Sequence, residues 1–143
     1  MTRRLGLLLV VASVISTMPL ERARAADYPV LYRDLGLPEY PQATVEAVGR
    51  SNSNLHDGLR IKLKTQASSI QLRTFFEQKM TELGWVLQET AVMRKMRKAG
   101  MLNQLPFNAA FCKNDGTVYQ VTTVNLGTSR HVNITVNKGG NAC

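Results

Sequence analysis

Residues 68–85, "SSIQLRTFFEQKMTELGW", decide the architecture of this chain. Ser68 followed three positions later by Gln71 is a capping-box signature, in which each side chain satisfies an amide that the first helical turn leaves open. Gly84 supplies the stop, because a residue without Cβ enters the left-handed conformation that closes a helix. Between these signals Ile70, Leu72, Phe76, Met80 and Leu83 fall largely on one stripe, with Arg73, Glu77, Lys79 and Glu82 elsewhere. The spacing predicts a helix that lays its apolar stripe on a sheet. Trp85, just past the stop, is placed to fold back on the last turn.

The flanking sequence supplies the sheet. "ATVEAVGR" (43–50) reads as a strand, and "GLRIKLKT" (58–65) as a stronger one, because Leu59, Ile61 and Leu63 alternate with Arg60, Lys62 and Lys64. A period of two leaves one face apolar and the other basic. The turn formers of "SNSNLHDG" (51–58) join the two as a hairpin. Beyond the helix, "WVLQETAVM" (85–93) starts a third strand, and "PFNAAFCKN" (106–114), "TVYQVTTVNL" (117–126) and "RHVNITVNK" (130–138) are further candidates. Asn114-Asp115-Gly116 and Gly127-Thr128-Ser129 separate them as hairpin turns. The predicted fold is α+β, with one main helix on a single antiparallel sheet of five to six strands in the order β-β-α-β-β-β-β, over residues 43–143. Residues 26–42, with three prolines and three tyrosines in "DYPVLYRDLGLPEYPQ", show neither helical nor strand period and are expected to run extended along the domain edge.

The beginning of the chain suggests a compartment. "MTRRLGLLLVVASVISTMPLERARA" (1–25) combines a two-arginine start, an apolar stretch from Leu5 to Ile15 and a small-x-small ending at Ala23-Arg24-Ala25. This is the pattern of a cleavable signal peptide, and the apolar run is too short to span a bilayer. The expected product is periplasmic or secreted, without a transmembrane segment. Removing residues 1–25 takes four arginines and one glutamate from 18 basic and 10 acidic residues, and lowers the net charge from +8 to +5. Such basicity suits anionic lipid or cell-wall polymer without selecting between them.

Two cysteines remain, Cys112 and Cys143. An oxidising compartment favours their pairing, and closing a loop of about 30 residues would stabilise the domain by about 3–4 kcal/mol. A buried Cys112 with a free Cys143, or a bond from Cys143 to another chain, are the other arrangements open to them.

Together "LPEYPQA" (37–43), "LRIKLKT" (59–65) and "FFEQKMTELGW" (75–85) resemble a pattern in small exported bacterial domains, where an LPxYPxA-like lead precedes two strands and a helix ending in GW. "FCKNDGTVYQV" (111–121) is similar to the strand, hairpin and strand that follow. The resemblance covers residues 37–137 and implies an α+β domain in the cell envelope. It carries no catalytic residue. The chain departs from the pattern at Gln42, where Gly is common, and in a long basic connection at 93–104.

Chemistry is sparsely represented. His56-Asp57 sits in a turn and His131 alternates with Val132 in a strand, so neither suggests a base with a nucleophile beside it. Histidines and cysteines tens of residues apart lack metal-ligand spacing, so no cofactor is expected. Two basic groups remain: Arg60, Lys62 and Lys64 along one strand face, and Arg94, Lys95, Arg97 and Lys98 in "MRKMRKAGML" (93–102). The latter is read as an exposed loop or ragged strand end. On one side of the molecule the two groups would form an anion-attracting surface. Nucleic acid is not expected, because no aromatic platform interleaves with the bases.

The expected role is that of an exported, non-enzymatic binding or assembly domain of the bacterial cell envelope, with an envelope protein, anionic lipid or cell-wall polymer as partner. The alternatives are a small-ligand-binding protein or hydrolase with a site between helix and sheet, and a secreted factor acting on other cells.

Overall fold

The computed structural model of the chain describes residues 27–51 and 58–138. The signal-like segment, His56, Asp57 and Cys143 lie outside the described residues. Six strands, β1 (Ala43–Ser51), β2 (Gly58–Thr65), β3 (Val86–Leu87), β4 (Asn108–Cys112), β5 (Thr117–Leu126) and β6 (Ser129–Lys138), form one open antiparallel sheet in the order β1-β2-β6-β5-β4-β3. Three helices, α1 (Val30–Asp34), α2 (Ser69–Glu82) and α3 (Ala91–Lys98), and a 3-10 turn at Leu102–Gln104 complete the described residues. The α+β class and the single antiparallel sheet agree with the sequence reading.

The central helix forms for the reasons its sequence gives. Ser68 Oγ accepts the Gln71 amide at 3.2 Å, and Gln71 Oε1 accepts the Ser68 amide at 2.8 Å, so the capping box is complete. At the other end Gly84 has φ +78, with Trp85 N–H bonded to Met80 O and Gly84 N–H to Thr81 O. These two bonds are a Schellman closure, and they turn Trp85 back under the helix. The buried stripe is narrower than its apolar residues suggest. Leu72, Phe76 and Met80, at strict four-residue spacing, are fully buried, whereas Ile70 and Leu83 are exposed. Arg73, expected on the wet side, is buried instead.

Two helices appear where none was expected, and the single-helix description is corrected accordingly. Residues 30–34 of the supposed extended lead-in make α1, because Pro29 has the fixed φ that begins a helix and needs no donor there. Tyr28 and Tyr32, four positions apart, then stack with ring centroids 5.0 Å apart. Tyr28, Tyr32, Leu37 and Tyr40 all join the central core, so this segment is part of the interior rather than an edge strap. The second is α3, in "AVMRKMRK", where the strand from Trp85 ends after Leu87. Thr90 Oγ1 caps the Met93 amide, and Gly100, with φ +69, closes the helix through Met101 N–H to Met96 O.

α1 and α2 pack on one face of the sheet, and α3 is joined to α2 through Arg97 and Glu77. That face carries Leu59, Ile61 and Leu63 from β2, Tyr119 and Val121 from β5, and Val132, Ile134 and Val136 from β6. Phe76 stands at the centre, stacked with Phe107 at 5.9 Å and near Tyr119 at 6.3 Å. The phenol of Tyr32 donates to Pro38 O at 2.8 Å, which leaves the 2.8 Å contact with Tyr119 to be donated by the Tyr119 hydroxyl. Burial is the main cause that raises both phenols above their ordinary pKa, and it raises Tyr28 as well.

Candidate functional site

Among the described residues no helix lies on the opposite face of the sheet. Side chains of directly paired residues project from the same face, so the register defines rows across the strands. One row runs Arg60, Thr135, Gln120, Ala110, and the next runs Lys62, Asn133, Thr122, Asn108. A third begins Lys64, His131, Val124. Rows are two residues apart along each strand, about 7 Å, and strands are about 4.8 Å apart, so the first two rows cover a flat area about 14 Å across. The alternation that buries Leu59, Ile61 and Leu63 forces Arg60, Lys62 and Lys64 outward.

Charge on this face is partly compensated. Glu46, the extra residue at an irregularity of β1 between Val45 and Ala47, reaches Lys62 Nζ at 3.4 Å and His131 Nδ1 at 2.9 Å. No ion pair engages Arg60 or Lys64 among the described residues, and both are exposed. The face therefore presents cations at its β2 side and amide and hydroxyl groups across β6, β5 and β4.

The second basic group lies on the other side of the molecule. Arg97 Nε donates to Glu89 Oε1 at 2.5 Å, and its Nη2 donates to both carboxylate oxygens of Glu77 on α2 at 3.1 and 3.2 Å. α3 is thus held on the helical layer, away from Arg60, Lys62 and Lys64. α3 is bonded to α2, whereas Arg60, Lys62 and Lys64 project from the sheet face opposite the one that α2 covers. Arg94, Lys95 and Lys98 point to solvent, and α3 has no buried residue. Arg73 lies beneath the same cluster, its Nη1 3.5 Å from Glu77 and its Nη2 donating to Leu102 O, with the guanidinium 5.4 Å from the Phe107 ring centre. A buried arginine of this kind is retained by its partners rather than by burial itself.

Of the cysteine and histidine candidates, the two among the described residues, Cys112 and His131, are not brought together. Cys112 pairs with Val118, which pairs with Asn137, whereas His131 is six residues further along β6, about 20 Å away. Among the described residues no group of three His, Cys, Asp or Glu is arranged to hold a metal ion. Cys112 is nearly buried on the face without helices.

On the helical side there is a cleft whose lining residues show no motif in sequence. A cavity of about 300 Å³ opens between α1 and the end of the sheet, lined by Leu31, Leu35, Leu59, Trp85, Lys113 and Lys138 among others. Leu31 on α1 and Leu35 at its C-cap are exposed apolar residues, and Tyr32 of the same helix is buried in the core. Lys113 Nζ stands 5.2 Å over the Trp85 ring, within cation–π range. A one-turn helix too short to show a period in sequence builds this wall, which is why it was missed.

Among the described residues no helix is long and apolar enough to cross a membrane. Comparison with protein-family models, with curated proteins and with solved structures finds no match to this chain.

Proposed function

We propose that this is an exported, non-enzymatic binding domain of the bacterial cell envelope, whose working surface is the helix-free face of the sheet. The observation that carries the reading is the division of the sheet into one face packed under α1 and α2 and another, free of helices among the described residues, on which Arg60, Lys62 and Lys64 project from β2. The partner that fits is an anionic cell-wall polymer. Its acidic groups meet the unpaired Arg60 and Lys64, while its hydroxyls meet Asn133, Thr135, Gln120 and Thr122 across adjacent rows. A lipid surface fits less well, since this face carries few large apolar or aromatic side chains to enter a headgroup layer. The signal-like N-terminus and the net positive charge support an envelope location.

Co-sedimentation of the protein with purified cell wall, at low and at high salt, tests the reading. The Arg60→Ser, Lys62→Ser, Lys64→Ser triple variant should lose salt-sensitive binding, while the Arg94→Ser, Lys95→Ser, Lys98→Ser variant should retain it. Retention by the first variant, or binding to anionic vesicles in preference to wall, refutes the assignment. A separate small-ligand reading is favoured by the cleft beside Trp85.

A further inference from the structure

We propose that the cleft between α1 and the sheet binds a small amphipathic carboxylate, with the apolar body against Leu31, Leu35, Leu59 and Trp85 and the carboxylate between Lys113 and Lys138. The site lies on the helical side, independent of the sheet face assigned to the polymer.

Three observations converge on this ligand class. The first is shape: about 300 Å³ is at the small end of the range for specific small-molecule sites. The second is the wall. Leu31, on α1, and Leu35, which caps its end, are 57% and 43% exposed, although Tyr32 between them is fully buried. A turn of helix that leaves two leucines open beside an indole presents apolar surface that a ligand body would remove from water.

The third is charge. Two ammonium groups and one carboxylate, Asp115, stand at the rim. Asp115 is already committed, because its Oδ1 accepts the Thr117 amide at 2.9 Å within the β4–β5 turn. Hydrogen bonds from Thr117 are the main reason its carboxyl stays below the ordinary range, so it remains ionised and fixed in the turn. That leaves the lysines in excess, and favours an anionic head over a cationic one. Lys113 is held by the same turn, its amide donating to Thr117 O and its carbonyl accepting Gly116 N–H. Its side chain rests over Trp85, so a carboxylate that engages the ammonium also alters the surroundings of the indole.

Trp85 is the single tryptophan of the chain, and its fluorescence therefore reports this site alone. Decanoate, below its micellar concentration, should shift Trp85 emission saturably, with one site per chain confirmed by calorimetry. Decanol and decyltrimethylammonium should bind at least about tenfold more weakly, as expected when one charge-assisted contact is lost. The Lys113→Ser, Lys138→Ser variant should lose the preference for decanoate over decanol, while the Arg60, Lys62, Lys64 triple serine variant should bind decanoate unchanged. Equal binding of decanoate and decanol, or no saturable change in either fluorescence or heat, overturns the proposal. So does a concentration-dependent sedimentation coefficient that Leu31→Ser abolishes and decanoate leaves unchanged, which would assign the exposed leucines to a second copy of the chain.

Discussion

Alkaline pH should unfold this protein through its tyrosines. Tyr28, Tyr32 and Tyr119 are buried around one another, and desolvation raises all three phenols above their ordinary value. In the unfolded chain each phenol titrates near pH 10. Above that point the unfolded state holds fewer protons than the folded one, so stability falls as pH rises, and below it the full contribution is present. Each tyrosine lowers stability by about 1.4 kcal/mol per pH unit, so three lower it by about 4 kcal/mol per unit. An ordinary domain with about 5–15 kcal/mol of stability is exhausted roughly one to four units above pH 10. The assay follows the near-ultraviolet phenolate band and far-ultraviolet circular dichroism together during a base titration. Both should change in one cooperative step, with little phenolate formed before it. Ionisation of three phenols near pH 10 with circular dichroism intact would refute the buried network.

Three further outcomes are expected. Gly84→Ala places a side chain at φ +78 and should cost about 1 kcal/mol in chemical denaturation, with Trp85 emission moving to that of a wetter indole. Arg97→Ala removes the contacts that join α3 to Glu77 and Glu89; because the guanidinium is 41% exposed, the stability loss should be no more than about 1 kcal/mol, yet amide exchange in residues 94–101 should speed up while that of β5 and β6 stays unchanged. Alkylation under denaturing, non-reducing conditions should label neither Cys112 nor Cys143, and reduction should expose both and lower stability by about 3–4 kcal/mol, as expected for a closed loop of about 30 residues.

Legibility from sequence followed the length of the signal. β2, β5 and β6 are eight to ten residues long, and their alternation fixed both their limits and their faces. α2 was bounded by two capping signals, and its structure uses both. The failures lie where a signal spans one turn or less. α3 carries the same pair of devices as α2, Thr90 before it and Gly100 after it, but half of its eight residues are basic and its apolar ones, Ala91, Val92, Met93 and Met96, bury nothing in the core. It is stabilised instead by Arg97 reaching Glu77, twenty residues earlier, a contact that no local pattern encodes. α1 was hidden by its prolines, although Tyr28 and Tyr32 at four-residue spacing were its trace. Arg73 reads as a wet-side residue by its type, although its position adjoins the buried stripe. Leu102 O, Glu77 and Phe107 make burial tolerable; Glu77 is one turn along the same helix, but the contacts with Leu102 and Phe107 are tertiary.

The same distinction bears on where function is separable from folding. On the helical side nearly every residue is coupled to another element: Phe76 touches aromatic rings from β5 and the segment before β4, and Tyr32 ties α1 to both Pro38 and β5. Substitutions there alter stability first. On the bare face the sheet is held by its backbone ladder and by the core beneath, so Arg60, Lys64, Asn133 and Thr135 contribute little beyond their cross-strand neighbours. Exposed polar positions of this kind usually change stability by no more than about 0.5 kcal/mol when replaced. A loss of wall binding in the triple serine variant, at unchanged denaturation midpoint, would therefore report recognition rather than damage. An equal loss of stability and binding would mean that the Glu46 pairs with Lys62 and His131 hold β1 onto the sheet, and that this face serves the fold as much as the partner.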